Sequence, residues 1–204
     1  MKTRILTPVC AVLMVLGIQN LIVAQEKEAA SVSDDPQAAM MEAWSAYRTP
    51  GNMHKMLAMD EGVWNADITH WADPSAPPQT AGGTEVCEMV MGGRYLKTSF
   101  EGEFMGESFN GLGFTGYDNA KKEFFATWMD DMGTGIMIMR GAVPEDGSNT
   151  LEMKGSMVDP MTGNDLKVRE VISRIDENTR MMEMFMEHDG AEMKTMEIKY
   201  SRKK

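Results

Sequence analysis

Cysteine is nearly absent: the 204 residues hold two, Cys10 and Cys87. With no CxxC pair and no Cys/His cluster, a structural zinc site is not expected. Histidine is as scarce, and His54, His70 and His188 lie far apart in the chain. There is no HExxH and no Ser/His/Asp grouping. GLGFTG (111–116) resembles a nucleotide loop only superficially, because no helix follows it. The chain thus carries no catalytic motif. The reading leans to a protein that is not an enzyme and holds no cofactor.

Basic charge is in deficit, with 20 Lys and Arg against 31 Asp and Glu and a net charge of -11. Setting aside the first 24 residues, which carry Lys2, Arg4 and no acid, leaves -13. Such a surface repels nucleic-acid phosphates and anionic lipid heads. Neither nucleic acid nor, after removal of the leader, a membrane is an expected partner.

Long apolar runs are absent after the first one. MKTR is a short basic start, and ILTPVCAVLMVLGIQNLIVA (5–24) ends in small Ala24 before a polar stretch, the pattern of an export signal. Cleavage is expected after Ala24, although Ile22 is bulky for its position, and the run is also about long enough to stay as a membrane anchor. The expected location is periplasmic or secreted. Cys10, preceded by TPV, is a poor lipid-attachment site. Removing residues 1–24 leaves Cys87 alone, which excludes an intrachain disulfide. In TEVCEMV (84–90) it reads as a buried core thiol rather than a reactive one.

What is present is an ordinary globular composition, 43% apolar and 25% charged. Residues 25–50 read as a polar linker and a short helix, and residues 51–204 as a single domain. Asp35-Pro36 is a helix start. PQAAMMEAWSAYR continues it with Met40, Trp44 and Tyr47 on one side. Thr49-Pro50-Gly51 breaks it, and NMHKMLAMDEG reads as a second short helix capped by Asn52 and stopped at Gly62.

From Gly62 onward the pattern changes to short β-type runs separated by Gly, Asp, Asn and Pro. About ten are expected: VWNADITHWA (63–72), TEVCEMV, RYLKTSFEGEF (94–104), SFNGLGFTGY (108–117), EFFATWMD (123–130), TGIMIMRGAV (134–143), TLEMKGSMV (150–158), DLKVREVISRI (165–175), RMMEMFMEH (180–188) and EMKTMEIKYSR (192–202). Most connections have two to six residues, which joins antiparallel neighbours and is too short for parallel crossovers. A meander of ten twisted strands tends to close into a barrel, which removes its edges and is wide enough for a cavity. An open twisted sheet or a sandwich is also compatible.

Three segments carry a family resemblance: HKMLAMDEGVW (54–64), MGGRYLKTSFEGEFMGESFNGLGFTGYDNAKKEFFATWMDDMGTG (91–135) and MKTMEIKYSRK (193–203). Together they resemble a bacterial family known only as domain of unknown function number 1579, over residues 50–203. The most specific part is GGRYL followed by GYDNAKKEFFATWMD. The resemblance implies a lipocalin-like β-barrel and no activity, ligand or catalytic set. Gly62-x-Trp64 is similar to the Gly-x-Trp signature of lipocalins, which bears on architecture alone. The expected fold is therefore all-β: a ten-stranded antiparallel lipocalin-like meander barrel preceded by one or two short helices.

Trp64 shares a face with Ala66 and Ile68 and reads as a plug against the preceding helix rather than a ligand contact. Phe124, Ala126, Trp128 and Asp130 share a strand face that suits a pocket wall with a polar rim. Asp130 and Asp131 point to opposite faces of a strand, so turn chemistry explains them better than acid/base or cation chemistry. Asp118-Asn119 suits a tight turn. Arg94, with Leu96, Thr98 and Phe100 on its face, would be a charge at the barrel mouth able to hold a carboxylate if that face points inward. A surface salt bridge is an equal reading.

Methionine is abundant: 23 residues, of which Met1 and Met14 precede Ala24. Met182, Met184, Met186 and His188 fall on one strand face, with Glu183, Phe185 and Glu187 on the other. Thioethers suit Cu(I), but residues two apart on a strand are about 6.5–7 Å apart, so one strand cannot complete a site. Acids belong in water, so the methionine face is expected inside as core lining. His188 is the weak candidate for a metal or for an axial ligand to haem.

The preferred functional reading is an exported barrel that binds a small apolar or amphipathic molecule. Its candidate lining is Phe124, Trp128, Arg94, Phe100, Met137, Met139, Met182, Met184 and Met186. The alternatives are copper or haem binding through His188 and the Met-rich strand, an enzyme using the cavity, and an interaction module in which helix 36–48 docks.

Overall fold

A computed structural model describes residues 35–72, 76–104, 106–142, 149–188 and 190–204, the side chain of His188 excepted. The expected signal segment, residues 1–24, and most of the polar linker lie outside the described residues. The chain divides into two units, residues 1–40 and 41–204. Helix α1 (Pro36–Arg48) begins at Asp35, whose Oδ1 accepts the backbone N–H of Gln37 at 3.0 Å. None of its residues is buried.

Helix α2 (Asn52–Ala58) is capped by Gly51, not by Asn52 as expected. The reason is the reverse arm of the cap. His54 Nδ1 accepts the N–H of Gly51 at 3.0 Å, so the residue three places on fixes the start. His54 and Leu57 are buried, and the His54 ring meets Tyr117 edge-on with centroids 6.0 Å apart. Burial holds the His54 imidazole below its ordinary pKa.

Ten strands follow among the described residues: β1 (Gly62–His70), β2 (Gln79–Val90), β3 (Tyr95–Phe104), β4 (Glu107–Asp118), β5 (Glu123–Asp130), β6 (Met137–Ala142), β7 (Thr150–Val158), β8 (Asp165–Arg174), β9 (Thr179–His188) and β10 (Ala191–Arg202). Each pairs antiparallel with the next, and β10 returns to β1 from Trp64–Arg202 to His70–Met196, which closes the barrel. Closure gives the first and last strands backbone partners that an open sheet would leave exposed.

The inward rows follow the two-residue period. They run Trp64, Ala66, Ile68 on β1, Leu96, Thr98, Phe100 on β3, Phe124, Ala126, Trp128 on β5, and Met182, Met184, Met186 on β9. The outer face of β9 is Glu183, Phe185 and Glu187. Glu183 meets Lys194, Glu187 meets Lys167, and Phe185 lies under the Arg169 guanidinium at 4.0 Å. The methionine face is therefore the interior one.

The two ends of the barrel differ. At one end α2 lies against β2, β3 and β4, and Trp64 and Phe124 are fully buried. Trp64 Nε1 donates to the carbonyl of Asp60 at 2.9 Å, tying β1 to the end of α2. At the other end the inward residues Phe109, Trp128, Met137, Met157, Met186 and Met196 are only half-buried. Glycine makes room for the largest of them: a Cβ at Gly113, opposite Trp128, would come within 3.1 Å of its ring.

Candidate functional site

The interior has an apolar wall and a polar floor. The wall at the open end is the half-buried ring just named. Trp128 Nε1 donates to Asp130 Oδ2 at 2.9 Å, which fixes the indole at the rim. Asp131 points the other way and accepts from the Asn110 amide and side chain, so the two acids share no site. Asn110 holds the Asp131 carboxyl below the usual range.

The wall is also open on one side. Pairing of β1 with β2 runs to His70–Gln79, and pairing of β3 with β4 to Phe104–Glu107. Between β2 and β3 it stops at Gly83–Gly102. The strands diverge there, leaving a notch of about 770 Å³ lined by Ile68, His70, Gln79, Thr80, Ala81, Gly82, Glu103, Phe104 and Gly106. His70 packs edge-on against Phe104 with centroids 5.3 Å apart. Its Nδ1 is buried without a hydrogen-bond partner, and burial lowers its pKa.

The floor, near α2, is built from charges that stand on otherwise apolar inward rows. Glu85 precedes Cys87 and Met89 on β2 and Arg180 begins the methionine row of β9, while Glu170 sits higher in the interior, between Val168 and Ile172 midway along β8 and opposite Met184. Arg180 is buried. It donates to the Glu85 carboxylate, reaches Asp60 Oδ2 at 3.4 Å, and stacks on Trp64 and Tyr200 at 4.7 and 4.3 Å from their ring centres. Arg174 holds Asp60 from a second side at 2.7 Å. Arg202 lies 4.1 Å over Trp64 and donates to the carbonyls of Met59, Glu61 and Glu177. The Cys87 thiol donates to Glu85 Oε1 at 3.1 Å, and burial pushes its pKa up to about 12. It is a thiol, not a thiolate, at neutral pH.

Glu170 differs from the rest. Among the described residues no hydrogen bond or ion pair reaches it. Its strand neighbours across the ladder are Met153 and Met184. Protein encloses it and pushes its carboxyl up to about 7, yet the residue keeps contact with open space. The Tyr200 hydroxyl is also without a hydrogen bond among the described residues, and burial together with the charge of Glu170 raises its pKa.

The Glu170 shift has a stability consequence. Its folded pKa lies above the ordinary 4.5. The folded state therefore holds the proton more tightly, and that contribution is full below pH 4.5 and lost as pH rises through 7. Glu170→Gln removes it. In urea denaturation the variant is expected to gain on the wild type by about 3 kcal/mol between pH 4.5 and 8.5. A difference that does not change with pH contradicts the burial of this acid.

The proposed lining residues separate into two groups. Phe124, Phe100, Met139 and Met184 are buried in the core, and Trp128, Met137, Met182 and Met186 are half-buried against the interior. Arg94 belongs to neither. It lies in the β2–β3 turn, where its guanidinium donates to the carbonyls of Met91 and Arg48. Met91, Gly92 and Gly93 all have positive φ, and the backbone reverses before Arg94 can join the inward row. The side chain of His188 lies outside the described residues. No group of three or more His, Cys, Asp or Glu able to hold a metal ion occurs among the described residues. The sequence reading missed Glu85, Glu170 and Arg180. The signal was there: each is a charge at the parity of its apolar neighbours.

A closed ten-stranded antiparallel barrel with a short helix at one end and half-buried inward apolar side chains at the other defines a lipocalin-like protein. The chain belongs to the family described as Protein of unknown function (DUF1579), matched over residues 49–202. Two solved structures share the fold. Rv2717c from M. tuberculosis has 15% identity and a TM-score of 0.55, over 76% of this chain and 100% of that one. The S-type phycobiliprotein lyase CPES from Guillardia theta has 13% identity and a TM-score of 0.54, over 79% of this chain and 97% of its own. No curated protein matches the sequence.

Proposed function

We propose that the barrel binds a small apolar or amphipathic molecule in its interior, taken up at the end away from α2. One observation carries this: six inward-facing apolar side chains, Phe109, Trp128, Met137, Met157, Met186 and Met196, remain half-buried inside a closed barrel. Apolar surface held at that position gains roughly 25 cal/mol per Å² when a ligand covers it. Methionine adapts to ligands of differing shape. The notch between β2 and β3 widens access on the same end. The likeness to a phycobiliprotein lyase barrel agrees with a fold that receives small molecules, and the leader agrees with export to the periplasm or beyond.

The strand alternation supplies its own control. Met137 faces the interior at the mouth, whereas its neighbour Ile138 is exposed on the outside. N-phenyl-1-naphthylamine, a neutral dye that brightens in apolar surroundings, is expected to bind the wild type in a saturable manner. Met137→Arg should weaken that binding at least tenfold, and Ile138→Arg should leave it unchanged. Equal effects of the two substitutions, or dye binding that never saturates, overturn the proposal.

A further inference from the structure

Of three acids in and below the interior, Glu85 is buried and Asp60 and Glu170 are partly buried, and the buried guanidinium of Arg180 meets only Glu85 and Asp60. Arg180 is committed to Glu85 and Asp60. Arg174 is committed to Asp60, and Arg202 to backbone carbonyls. No cation among the described residues meets Glu170, whose flanking positions are Val168 and Ile172 on its own strand, Met153 on β7 and Met184 on β9. The Tyr200 phenol feels the charge of both Glu170 and Arg180, whereas burial alone accounts for the raised pKa of Glu170.

We propose that Glu170 is the polar anchor of the interior, and that the ligand is a small amphipathic molecule with an ammonium head and an apolar body lying toward the mouth. This rests on the interior-binding function proposed above. A carboxylate only accepts hydrogen bonds, so its partner must donate. A buried carboxylate also seeks a compensating charge, and an ammonium provides both. In the empty protein a proton provides the compensation instead, in keeping with a carboxyl pushed up to about 7. An anionic head is disfavoured at the same point. The one buried guanidinium is already shared between two carboxylates, and Glu170 would repel a further negative charge. The Tyr200 hydroxyl, free of hydrogen bonds among the described residues, is available as a second contact for the head.

Three probes of equal chain length separate head from body: octylamine, octan-1-ol and octanoate, titrated calorimetrically into the full-length protein at pH 8. Octylamine is expected to bind at least tenfold more tightly than octan-1-ol, and octanoate most weakly. Glu170→Gln should bring octylamine down to the affinity of octan-1-ol while leaving octan-1-ol within twofold of the wild type. Glu170→Leu should do the same, and its retained octan-1-ol binding shows that the barrel is intact. If octylamine and octan-1-ol bind equally to the wild type, or if neither variant weakens octylamine, the anchor is wrong although the interior still binds. If none of the three binds, the interior-binding function falls, and the anchor with it.

Discussion

Arg180→Met is expected to destabilise the protein by about 3–5 kcal/mol, the scale for breaking a buried ion pair by removing one partner. The size of the effect comes from what stays behind. Glu85 is as buried as Arg180, and with the guanidinium gone its carboxylate faces the Cys87 thiol and no cation. Asp60 keeps Arg174 and suffers less. The planar guanidinium also stacks on Tyr200 and Trp64, so Arg180→Lys recovers the charge but not the two stacking contacts. Equilibrium urea denaturation reads the loss. The double variant Arg180→Met, Glu85→Leu should regain most of it, because it removes the uncompensated charge together with the broken pair. A double variant no more stable than Arg180→Met would show that the cost lies in packing and not in charge.

Trp64→Ala is expected to cost about 3–5 kcal/mol as well, by a different mechanism. Trp64 is fully buried. Its ring supports Arg180 and Arg202, and its N–H holds the carbonyl of Asp60 at the end of α2. Truncation opens a cavity on the floor and cuts a link between β1 and the helix. Trp64→Phe restores much of the volume without the N–H, so it should lose about 1–2 kcal/mol. Thermal unfolding of both variants, with amide exchange of residues 52–58 as a local probe, distinguishes the two contributions. Faster exchange in the phenylalanine variant reports the lost hydrogen bond. An alanine variant of wild-type stability would mean that α2 and Trp64 do not close this end.

Much of this architecture is legible in the sequence because strands repeat with a period of two. The rows Phe124, Ala126, Trp128 and Met182, Met184, Met186 point where their alternation says, and the polar turns between runs mark the hairpins. The first part of β2 is not legible. Gln79 to Gly83 contains Ala81, Gly82 and Gly83, which have low strand propensity, and pairing with β1 makes them a strand. Ile136 fails in the opposite sense: it looks like part of a strand, yet β6 begins at Met137 and Ile136 is exposed. Arg94 fails because three consecutive left-handed residues precede it, a backbone event that only Gly92 and Gly93 hint at.

The floor of the site is harder still. The rule that places acids in water works for Glu183 and Glu187 on β9, which meet lysines outside. It fails for Glu85 because Arg180, 95 residues away in sequence, provides a buried partner. It fails for Glu170 without any partner among the described residues, and that exception is the proposed anchor. A charged residue at apolar parity is visible in one strand. Whether another strand brings its counter-ion depends on how the barrel closes, which no single run of residues contains.

The proposed binding site is the barrel interior. Crystals of the full-length protein grown with 8-bromooctan-1-ol test it directly, because bromine can be located by its anomalous scattering. One bromine per chain is expected, inside the ring of Phe109, Trp128, Met137, Met157 and Met186. The neutral head makes this result independent of Glu170. Bromine found only on the outer surface, or an interior closed off by its own side chains with no bromine in it, would contradict the claim.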